Sequence, residues 1–406
     1  MRGLEPAVRA HLDRRLSLRR DRPLAVAFSG GGDSLALLLI ADAWARKARR
    51  ELVVLTVDHR LQPESAAWTR GCADVAARLG RPFRALSWEG EKPARGLPAA
   101  ARAARHRLLA DAARQDGASV LLMGHTADDV LEARRMRAEG STTPEPRVWA
   151  PSPAWPEGRG VFLLRPLLEA RRAALRDWLV ARGERWTDDP ANADPRYARA
   201  RARPFAAADD TAPPEDPAPL QVHVEEALGV LVFERDALEA AGEAVLGMTC
   251  VCAGGGSRRP PSGRIGRIAA ALSGREPLVA TLAGARIEAD ETKVRIFREA
   301  GEAARGGLAS VELEPGATAV WDGRFEFTAS RRITVRRLAG LMARLSKDEQ
   351  AALRDVPAAA RGALPVVLDG ELVSCPLLAP DGPAAVRSLV GERLRAAAGL
   401  IPREPD

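Results

Sequence analysis

The first half of the chain alternates between short apolar runs and stretches with the hydrophobic spacing of amphipathic helices. Four apolar runs predict β-strands at 24–28, 52–57, 83–88 and 120–123. The stretches with helical spacing lie at 1–22, 35–48, 64–79, 98–115 and 169–182. Regular alternation of strand and helix predicts an α/β fold with a doubly wound parallel sheet.

The pattern changes after residue 205. Residues 206–219 are rich in Ala, Asp and Pro, which predicts a linker. Further on, the predicted helices are 223–247, 262–273 and 348–360, and the predicted strands include 279–287 and 294–298. We therefore expect a first domain at 1–208, a helical and mixed middle domain at 220–300, and a small α+β domain at 308–400.

One stretch of the first half breaks the alternation. Residues 139–160 are rich in Pro, Ser and Thr and contain Trp149 and Trp155. A segment of this length without apolar periodicity predicts a long loop, of the kind that forms active-site lids. We expect the two tryptophans to pack within the loop rather than to stack on bases.

A glycine-rich hexapeptide, Ser29-Gly30-Gly31-Gly32-Asp33-Ser34, joins the first strand to the next helix. This order predicts a phosphate site, because glycines let N–H groups approach an anion and the helix points its positive end at it. Asp33 cannot contact phosphate favourably and is expected to act through Mg²⁺. The Walker loop needs a lysine that is missing, and the dinucleotide fingerprint needs another glycine spacing. The alternative is a simple turn in which Asp33 or Ser34 caps the helix.

Two further polar motifs follow predicted strands. Asp58-His59 ends the second strand, and the segment from His125 to Glu132 follows the fourth. Ligands of open parallel sheets bind beyond the carboxyl ends of the strands, so we expect these motifs and the hexapeptide to share one active site. Asp129 and Glu132 are three residues apart, which places both carboxylates on one helix face.

The chain is basic, with 61 Lys and Arg against 54 Asp and Glu and a net charge of +7. This balance favours a polyanionic partner, although Arg-rich residue usage would have the same effect. The four cysteines lack the Cys-x-x-Cys spacing of zinc or redox sites, which predicts free thiols in a reducing compartment. With no signal peptide and no membrane-spanning run visible, we expect a cytoplasmic protein.

Together these motifs resemble those of the tRNA(Ile)-lysidine synthases, a family of PP-loop ATP pyrophosphatases. The further pieces that carry the resemblance are 101–105, 165–168, 189–192, 197–203 and Trp321-Asp322-Gly323-Arg324-Phe325. The last of these resembles part of the family's C-terminal tRNA-binding region, which implies that the domain at 308–400 binds tRNA. The resemblance implies that ATP adenylates the wobble cytidine of the CAU-anticodon isoleucine tRNA and that free L-lysine then displaces AMP, forming lysidine. It also implies Mg²⁺ as a cofactor and a homodimer as the assembly.

The resemblance assigns roles to the matching residues of this chain. The residues expected to bind ATP are Ser29, Gly30, Gly31, Gly32, Asp33, Ser34 and Asp58, with Asp33 also holding the metal. The residues expected to bind lysine are His125, Asp129 and Glu132, and those expected to bind tRNA are Arg102, Arg105, Arg199 and Arg203. The residues expected to be catalytic are Asp33, Asp129, Glu132 and Arg201.

Each of these assignments has a plainer alternative. Asp58 could instead contact the ribose of a nicotinamide cofactor. One of Asp128 and Asp129 could serve only as a helix cap. His125 could be a packed, hydrogen-bonded side chain, and the arginines could form a solvated face.

Two other functions stay open from the sequence. One is a PP-loop thiolase acting on a tRNA base, which would usually need a Cys-x-x-Cys pair. The other is a non-catalytic RNA-binding protein on the same scaffold, against which the retained acidic residues argue. The chain departs from the family pattern at Arg60, His106, Val130, Ala133 and Ala200, which is expected to change the surroundings of the site.

Overall fold

The structure is a computed structural model that describes residues 3–17, 21–140, 146–151, 159–188, 201–204, 224–257, 260–301 and 308–405. The chain divides into two compact units. The first contains Met1–Pro217 together with Ile401–Asp406, and the second contains Ala218–Leu400. The further division of the second unit into a middle and a C-terminal domain stays a prediction.

A six-stranded sheet forms the centre of the first unit. Its strands are β1 (Leu24–Ala27), β2 (Leu52–Asp58), β3 (Phe83–Ser87), β4 (Val120–Met123), β5 (Trp149–Pro151) and β6 (Phe162–Leu164). They lie in the order β3-β2-β1-β4-β6-β5, and all neighbours are parallel except β5 and β6. The predicted doubly wound parallel sheet is confirmed. Its strand order reverses between β1 and β4, which is where such sheets bind ligands.

The helices described in this unit are α1 (Leu4–Arg15), α2 (Gly32–Ala48), α3 (Ser65–Arg78), α4 (Leu97–Gln115), α5 (Ala127–Ala138) and α6 (Arg172–Val180). Strand β4 is buried at all its positions and β1 at three of four. Such burial explains why both strands are continuous apolar runs, since a parallel sheet is covered on both faces. Pro98 lies in the first turn of α4, as predicted.

The stretch 139–160 is not a loop throughout, so that prediction is wrong in part. Strand β5 lies inside it and pairs with β6, with Trp149 opposite Leu164. An edge strand of three residues is too short for its periodicity to be recognised in the sequence. Residues 141–145 and 152–158, which include Trp155, lie outside the described residues.

The last residues of the chain pack into the first unit. The carboxylate of Glu404 accepts hydrogen bonds from two nitrogens of Arg50, at 2.7 and 2.6 Å, and from the hydroxyl of Ser119 at 2.5 Å. The backbone N–H of Glu404 donates to the carbonyl of Arg15 at 2.7 Å. Arg50 lies two residues before β2, and Ser119 lies directly before β4. This segment is therefore bound at the amino ends of the strands, opposite the edge where ligands are expected.

The described residues of the second unit form three sheets whose neighbouring strands are antiparallel. Their strand orders are β7-β8-β11-β10-β9, β12-β15-β16-β17 and β13-β14-β18. The strands are β7 (Glu225–Ala227), β8 (Val230–Glu234), β9 (Leu278–Leu282), β10 (Ala285–Ala289), β11 (Lys293–Arg298), β12 (Val311–Leu313), β13 (Thr318–Trp321), β14 (Phe325–Ala329), β15 (Ile333–Arg337), β16 (Pro365–Asp369), β17 (Leu372–Ser374) and β18 (Ala384–Ser388). The α-helices described here are α7 (Arg235–Ala253), α8 (Ser262–Ser273), α9 (Lys347–Ala352), α10 (Ala358–Arg361) and α11 (Val390–Ala397).

Two predicted elements of the second unit are wrong for the same reason. The stretch 223–247, predicted as helix, contains the hairpin β7–β8 before α7, and the single strand predicted at 279–287 is the hairpin β9–β10. Both hairpins turn on two residues with positive φ, which are Leu228-Gly229 (54° and 79°) and Ala283-Gly284 (52° and 79°). These are type I′ turns, and the Asn-Gly or Asp-Gly pair that usually indicates such a turn is absent from both.

Candidate active site

The hexapeptide forms the turn between β1 and α2. Gly30 has a φ of 82°, and a Cβ added to it would lie 3.3 Å from the sulfur of Cys72. The Ser34 hydroxyl donates to the carbonyl of Gly31 at 2.9 Å and accepts from the N–H of Ser29 at 3.2 Å. The turn is therefore held in shape by its own serines and by a position that favours glycine.

Two other segments pack directly against this turn. A Cβ added to Gly124, in the loop after β4, would lie 3.0 Å from the Cα of Ser34, so the two backbones are in contact. The ring of Trp186 lies 3.4 Å from the position of a Cβ on Gly32, and the N–H of Thr187 donates to the carbonyl of Gly30 at 3.0 Å. The sequence did not single out Gly124 or Trp186 as site residues.

The two adjacent aspartates of α5 have different partners. One oxygen of Asp129 accepts from the N–H of Thr126 at 2.7 Å and from its hydroxyl at 3.0 Å, which caps α5. Asp128 accepts from the backbone N–H of Arg172 at 2.7 Å and so caps α6. Both aspartates are helix caps, but the second oxygen of Asp129 faces the site.

Arg172, the first residue of α6, brings the predicted acidic residues together. Its Nε lies 3.0 Å from Asp33, while its two terminal nitrogens lie 3.2 Å from Glu132 and 3.5 Å from Asp129. We call these four residues the Arg172 cluster. The sequence did not single out Arg172, because its partners lie 40, 43 and 139 positions away along the chain.

Burial and neighbouring charges shift the pKa values of Asp33 and Arg172 in opposite directions. Burial raises the pKa of Asp33, and the nearby Arg172 only partly offsets this. Burial by itself would lower the pKa of Arg172, but the attraction of Asp129, Asp33 and Glu132 raises it overall. The guanidinium is therefore charged. The side chain of Asp33 is 22% exposed and that of Glu132 is 1% exposed, so Glu132 is the deepest member of the cluster.

His125 is buried beside the motif 165–168. The Nε of Arg165 donates to Nδ1 of His125 at 3.2 Å, which requires a neutral ring with its proton on Nε2.

His106, on α4, is also buried, and neither of its ring nitrogens has a hydrogen-bond partner among the described residues. Burial, followed by the charge of Arg105, lowers the pKa of His106, so this ring is neutral too.

Asp58 lies at the end of β2, on the strand next to β1. Its carboxylate accepts from the N–H of Arg60 at 2.7 Å, and Arg60 has a φ of 52°, a conformation that favours glycine. The backbone of the residues that follow Asp58 therefore holds its carboxylate in place.

His59, the next residue, packs edge-on against Trp88, with ring centroids 6.0 Å apart. Burial lowers the pKa of His59 to about 4, so its ring is neutral at physiological pH.

The arginines predicted to act on tRNA or in catalysis are spread over several elements. The Nε of Arg203 lies 3.5 Å from a carboxylate oxygen of Glu132. Arg102 and Arg105 are half-buried on α4, and Arg201 is exposed. Arg199 lies outside the described residues. A contact of these arginines with tRNA stays a prediction.

The motif 321–325 of the second unit is buried. Trp321 and Arg324 are each 2% exposed. The carboxylate of Asp322 accepts from two nitrogens of Arg298, both at 2.8 Å, and from Arg324 at 2.8 Å. The charged residues of this motif therefore stabilise the interior of the unit and do not form a surface that tRNA could contact.

Metal clusters and membrane helices are absent from the part of the chain that the structure describes. No group of three or more His, Cys, Asp and Glu side chains there is arranged to hold a metal ion. No helix described is long and apolar enough to cross a membrane. All four cysteines are buried free thiols, as predicted.

Comparisons with known proteins give the family. The sequence model of the PP-loop domain family matches residues 4–207. The tRNA(Ile)-lysidine synthase of Caulobacter vibrioides is 50% identical over 405 residues, which cover 98% of this chain and 98% of that protein. The tRNA(Ile)-lysidine synthase of Brucella ovis is 37% identical over 358 residues, covering 80% of this chain and 78% of that protein.

One solved structure shows a weaker similarity. The U34-tRNA thiolase NcsA of Methanococcus maripaludis aligns with a TM-score of 0.41 and 16% identity, covering 50% of this chain and 70% of that one. That similarity is too low to support an argument.

The family model spans half of this chain, and the match to the Caulobacter relative spans nearly all of it. On these grounds the chain belongs to the tRNA(Ile)-lysidine synthases, a family of PP-loop proteins.

Proposed function

We propose that this chain uses ATP to join free lysine to the wobble cytidine of the isoleucine tRNA that has a CAU anticodon. Membership of the family supports the reaction. The Arg172 cluster is the observation that supports Asp33, Asp129 and Glu132 as part of its active site. In that cluster, Asp33 of the glycine-rich turn contacts the same guanidinium group as Asp129 and Glu132, the two carboxylates expected to bind lysine. A ligation driven by ATP needs the activated phosphate and the amine to be held side by side.

The turn 29–34 is suited to the phosphates of ATP. Helix α2 begins at Gly32, so the partial positive charge of its amino end faces the turn. Asp33 lies in the first turn of the same helix. One carboxylate together with nucleotide phosphates is a usual ligand set for Mg²⁺, so these residues fit the ion and Asp33 would hold it. When bound, Mg²⁺ neutralises charge on the departing pyrophosphate.

The proposed reaction has two steps. First, the oxygen on ring carbon 2 of cytosine forms a bond to the α-phosphorus of ATP, and the bond from that phosphorus to the bridging oxygen breaks, releasing pyrophosphate. Second, an amine of lysine forms a bond to ring carbon 2, and the carbon–oxygen bond breaks, releasing AMP. The tRNA thus gains lysine and loses an oxygen, which leaves with AMP.

Asp129 and Glu132 are proposed to bind the ammonium group of lysine. An ammonium group has no free electron pair, so it must lose a proton before it attacks, and a neighbouring carboxylate can accept that proton. His125 is neutral with its proton on Nε2, so it can donate a hydrogen bond that orients the substrate. Asp58, next to the phosphate-binding turn, is proposed to lie beside the adenosine.

The proposed macromolecular partner is a polyanion, which the net charge of +7 favours. Arg102, Arg105, Arg199 and Arg203 are proposed to contact tRNA, and Arg201 is proposed to act at the reacting phosphate. A cytoplasmic location is proposed because four free thiols suit a reducing compartment. A homodimer is proposed from the resemblance alone.

A thiolase acting on tRNA is the main alternative among PP-loop enzymes, and the cysteines argue against it. Cys72 lies beside the turn, but burial raises its pKa to about 11 in spite of a hydrogen bond with Thr56. Its thiol is therefore protonated at neutral pH and is a poor nucleophile. Cys250 and Cys252 are buried in the second unit, where burial raises their pKa values to about 12 and 11.

Transfer of labelled lysine tests the proposed function. The protein would be mixed with ATP, Mg²⁺ and an unmodified transcript of the CAU-anticodon isoleucine tRNA, with methionine tRNA, which shares the anticodon, as the control. We expect label to enter only the isoleucine tRNA. AMP formation without lysine transfer would point to another nucleophile, and tRNA binding without AMP formation would favour the non-catalytic scaffold.

A further inference from the structure

The side chain of Arg172 occupies the carboxylates that the lysine substrate needs. Each of its three guanidinium nitrogens faces a different carboxylate, at 3.0 Å from Asp33, 3.2 Å from Glu132 and 3.5 Å from Asp129. Its backbone is fixed as well, since its N–H donates to Asp128 at 2.7 Å. An ammonium group that approaches Asp129 and Glu132 therefore meets a cation already in place.

Lysine cannot bind Glu132 fully in this arrangement. The side chain of Glu132 is 1% exposed, and the oxygen that contacts Arg172 also lies 3.5 Å from Arg203. A third cation at the same oxygen would be repelled by both arginines. One of the two guanidinium groups has to move before an ammonium group can take its place.

The other end of the guanidinium lies where the nucleotide is proposed to bind. Asp33, which contacts Nε of Arg172, is part of the phosphate-binding turn. Phosphate groups at this turn add negative charge beside Arg172, and arginine binds phosphate oxygens well through paired hydrogen bonds. A nucleotide thus offers Arg172 a new partner in exchange for the carboxylates.

We propose that Arg172 gates the lysine site: without nucleotide it holds Asp129 and Glu132, and when ATP fills the turn it moves to the phosphates and frees both carboxylates for lysine. The inference rests on the proposed function and adds an order of binding to it, with nucleotide before lysine. Such a gate keeps lysine out of a site in which no activated intermediate can form. Its signature is a lysine affinity that depends on the nucleotide and loses this dependence when Arg172 is replaced.

Calorimetric titration of lysine into the full chain at pH 8, with and without a non-hydrolysable ATP analogue, tests the gate. For the wild-type chain we expect the analogue to tighten lysine binding at least about tenfold, which corresponds to about 1.4 kcal/mol. Arg172→Gln is expected to bind lysine without nucleotide as tightly as the wild type does with it. Arg172→Lys is expected to lie between the two, because one ammonium group cannot face three carboxylates at once.

Arg182→Gln is the matched control. Arg182 lies just after the C-terminal end of α6 and pairs with Glu5 at 3.2 Å, and its side chain is 43% exposed, so the variant makes the same change of charge away from the Arg172 cluster. It should behave as the wild type. A response of Arg182→Gln equal to that of Arg172→Gln would mean that overall charge, not a gate, controls lysine binding, and would overturn the proposal.

Two further results would overturn the gate while leaving the proposed function intact, provided that the wild type transfers lysine to tRNA. One is equal lysine affinity of the wild type with and without the analogue. The other is weaker lysine binding by Arg172→Gln, without nucleotide, than by the wild type. If Arg172→Gln does not fold, Arg172→Lys decides in the same way. A wild-type chain that transfers no lysine would instead contradict the proposed function itself.

Discussion

Glu404, near the C-terminus, is expected to be a major contributor to the stability of the first unit. The change that tests this is Glu404→Gln, which keeps the size of the side chain and removes its charge. The carboxylate and the guanidinium of Arg50 are each 1% exposed as side chains. The substitution therefore leaves a buried arginine facing a neutral amide.

The magnitude follows from the bonds that are lost. Glu404 accepts two hydrogen bonds from Arg50 at 2.7 and 2.6 Å, one from Ser119 at 2.5 Å and one from the N–H of Ser17 at 3.1 Å. Removing one partner of a buried ion pair typically costs about 3–5 kcal/mol. With a urea dependence of about 2–3 kcal/mol per molar, the unfolding midpoint should fall by roughly 1–2.5 M.

Urea unfolding followed by tryptophan fluorescence is the assay. All tryptophans except Trp321 lie in the first unit, so the signal reports mainly on that unit. Glu89→Gln is the control, because Glu89 pairs with Arg60 at the surface, where side-chain exposures are 66% and 54%. An exposed pair of this kind contributes at most about 1 kcal/mol.

Two results would refute the reasoning about Glu404. The first is a midpoint for Glu404→Gln that falls no further than that of Glu89→Gln. The second comes from the double variant Arg50→Met with Glu404→Met. Removing both partners leaves no unpaired buried charge, so the double variant should recover part of the stability that Glu404→Gln loses. No recovery would mean that the loss does not arise from the ion pair.

The stabilisation by Glu404 also depends on pH, in a direction that can be worked out. Burial would raise the pKa of Glu404, but hydrogen bonds from Arg50 and Ser119 outweigh burial and lower it below its ordinary value of 4.5. Because the folded chain binds this proton less readily than the unfolded chain, the stabilisation is present above pH 4.5 and is lost as the pH falls through the lowered pKa. Glu404→Gln should remove this part of the acid sensitivity.

Three further predictions concern the site. Asp33→Asn should abolish AMP formation while tRNA binding remains, and normal AMP release would contradict the role of Asp33 at the metal. Gly124→Ala should destabilise the first unit by about 1–3 kcal/mol in urea, because its Cβ would lie 3.0 Å from the backbone of the turn. Gly71→Ala, whose Cβ meets no atom within 4 Å, is its control. Arg60→Gly should be more stable than Arg60→Ala by about 1 kcal/mol, since φ is 52°; equal stability would show that the backbone there is unstrained.

The glycine-rich turn at 29–34 could be predicted because the information for it is local. The strand, the glycines and the helix are adjacent in the sequence, and each has a clear pattern. The placement of Asp33 and Asp129 in one cluster followed from a general rule, since the carboxyl ends of parallel strands lie at one edge of the sheet. Strands β1 and β4 are indeed neighbours, with Ala27 opposite Met123.

Arg172 and Glu404 could not be predicted because their contacts are not local. Arg172 reaches Asp33 across 139 positions, and Glu404 reaches Arg50 across 354. The spacing of these residues along the chain carries no periodic signal. Only the packing of several elements decides which of the many arginines and carboxylates meet.

The aspartates of α5 show why residue type alone does not decide a role. Asp128 and Asp129 are adjacent and chemically identical, yet Asp128 caps α6, while Asp129 caps α5 with one oxygen and faces Arg172 with the other. Successive residues of a helix point in different directions around its axis, so the two side chains face different neighbours. The sequence could indicate that either residue was a cap, but not which carboxylate also reaches the site.

The most direct test of the central claim is to locate the lysine on the tRNA and to count AMP in the same reaction. The isoleucine tRNA would be modified with labelled lysine and then digested to nucleosides, while AMP is measured in parallel. We expect one AMP for each lysine transferred and label only at the wobble cytidine. Label at any other nucleoside, or lysine transfer without an equal amount of AMP, would contradict it.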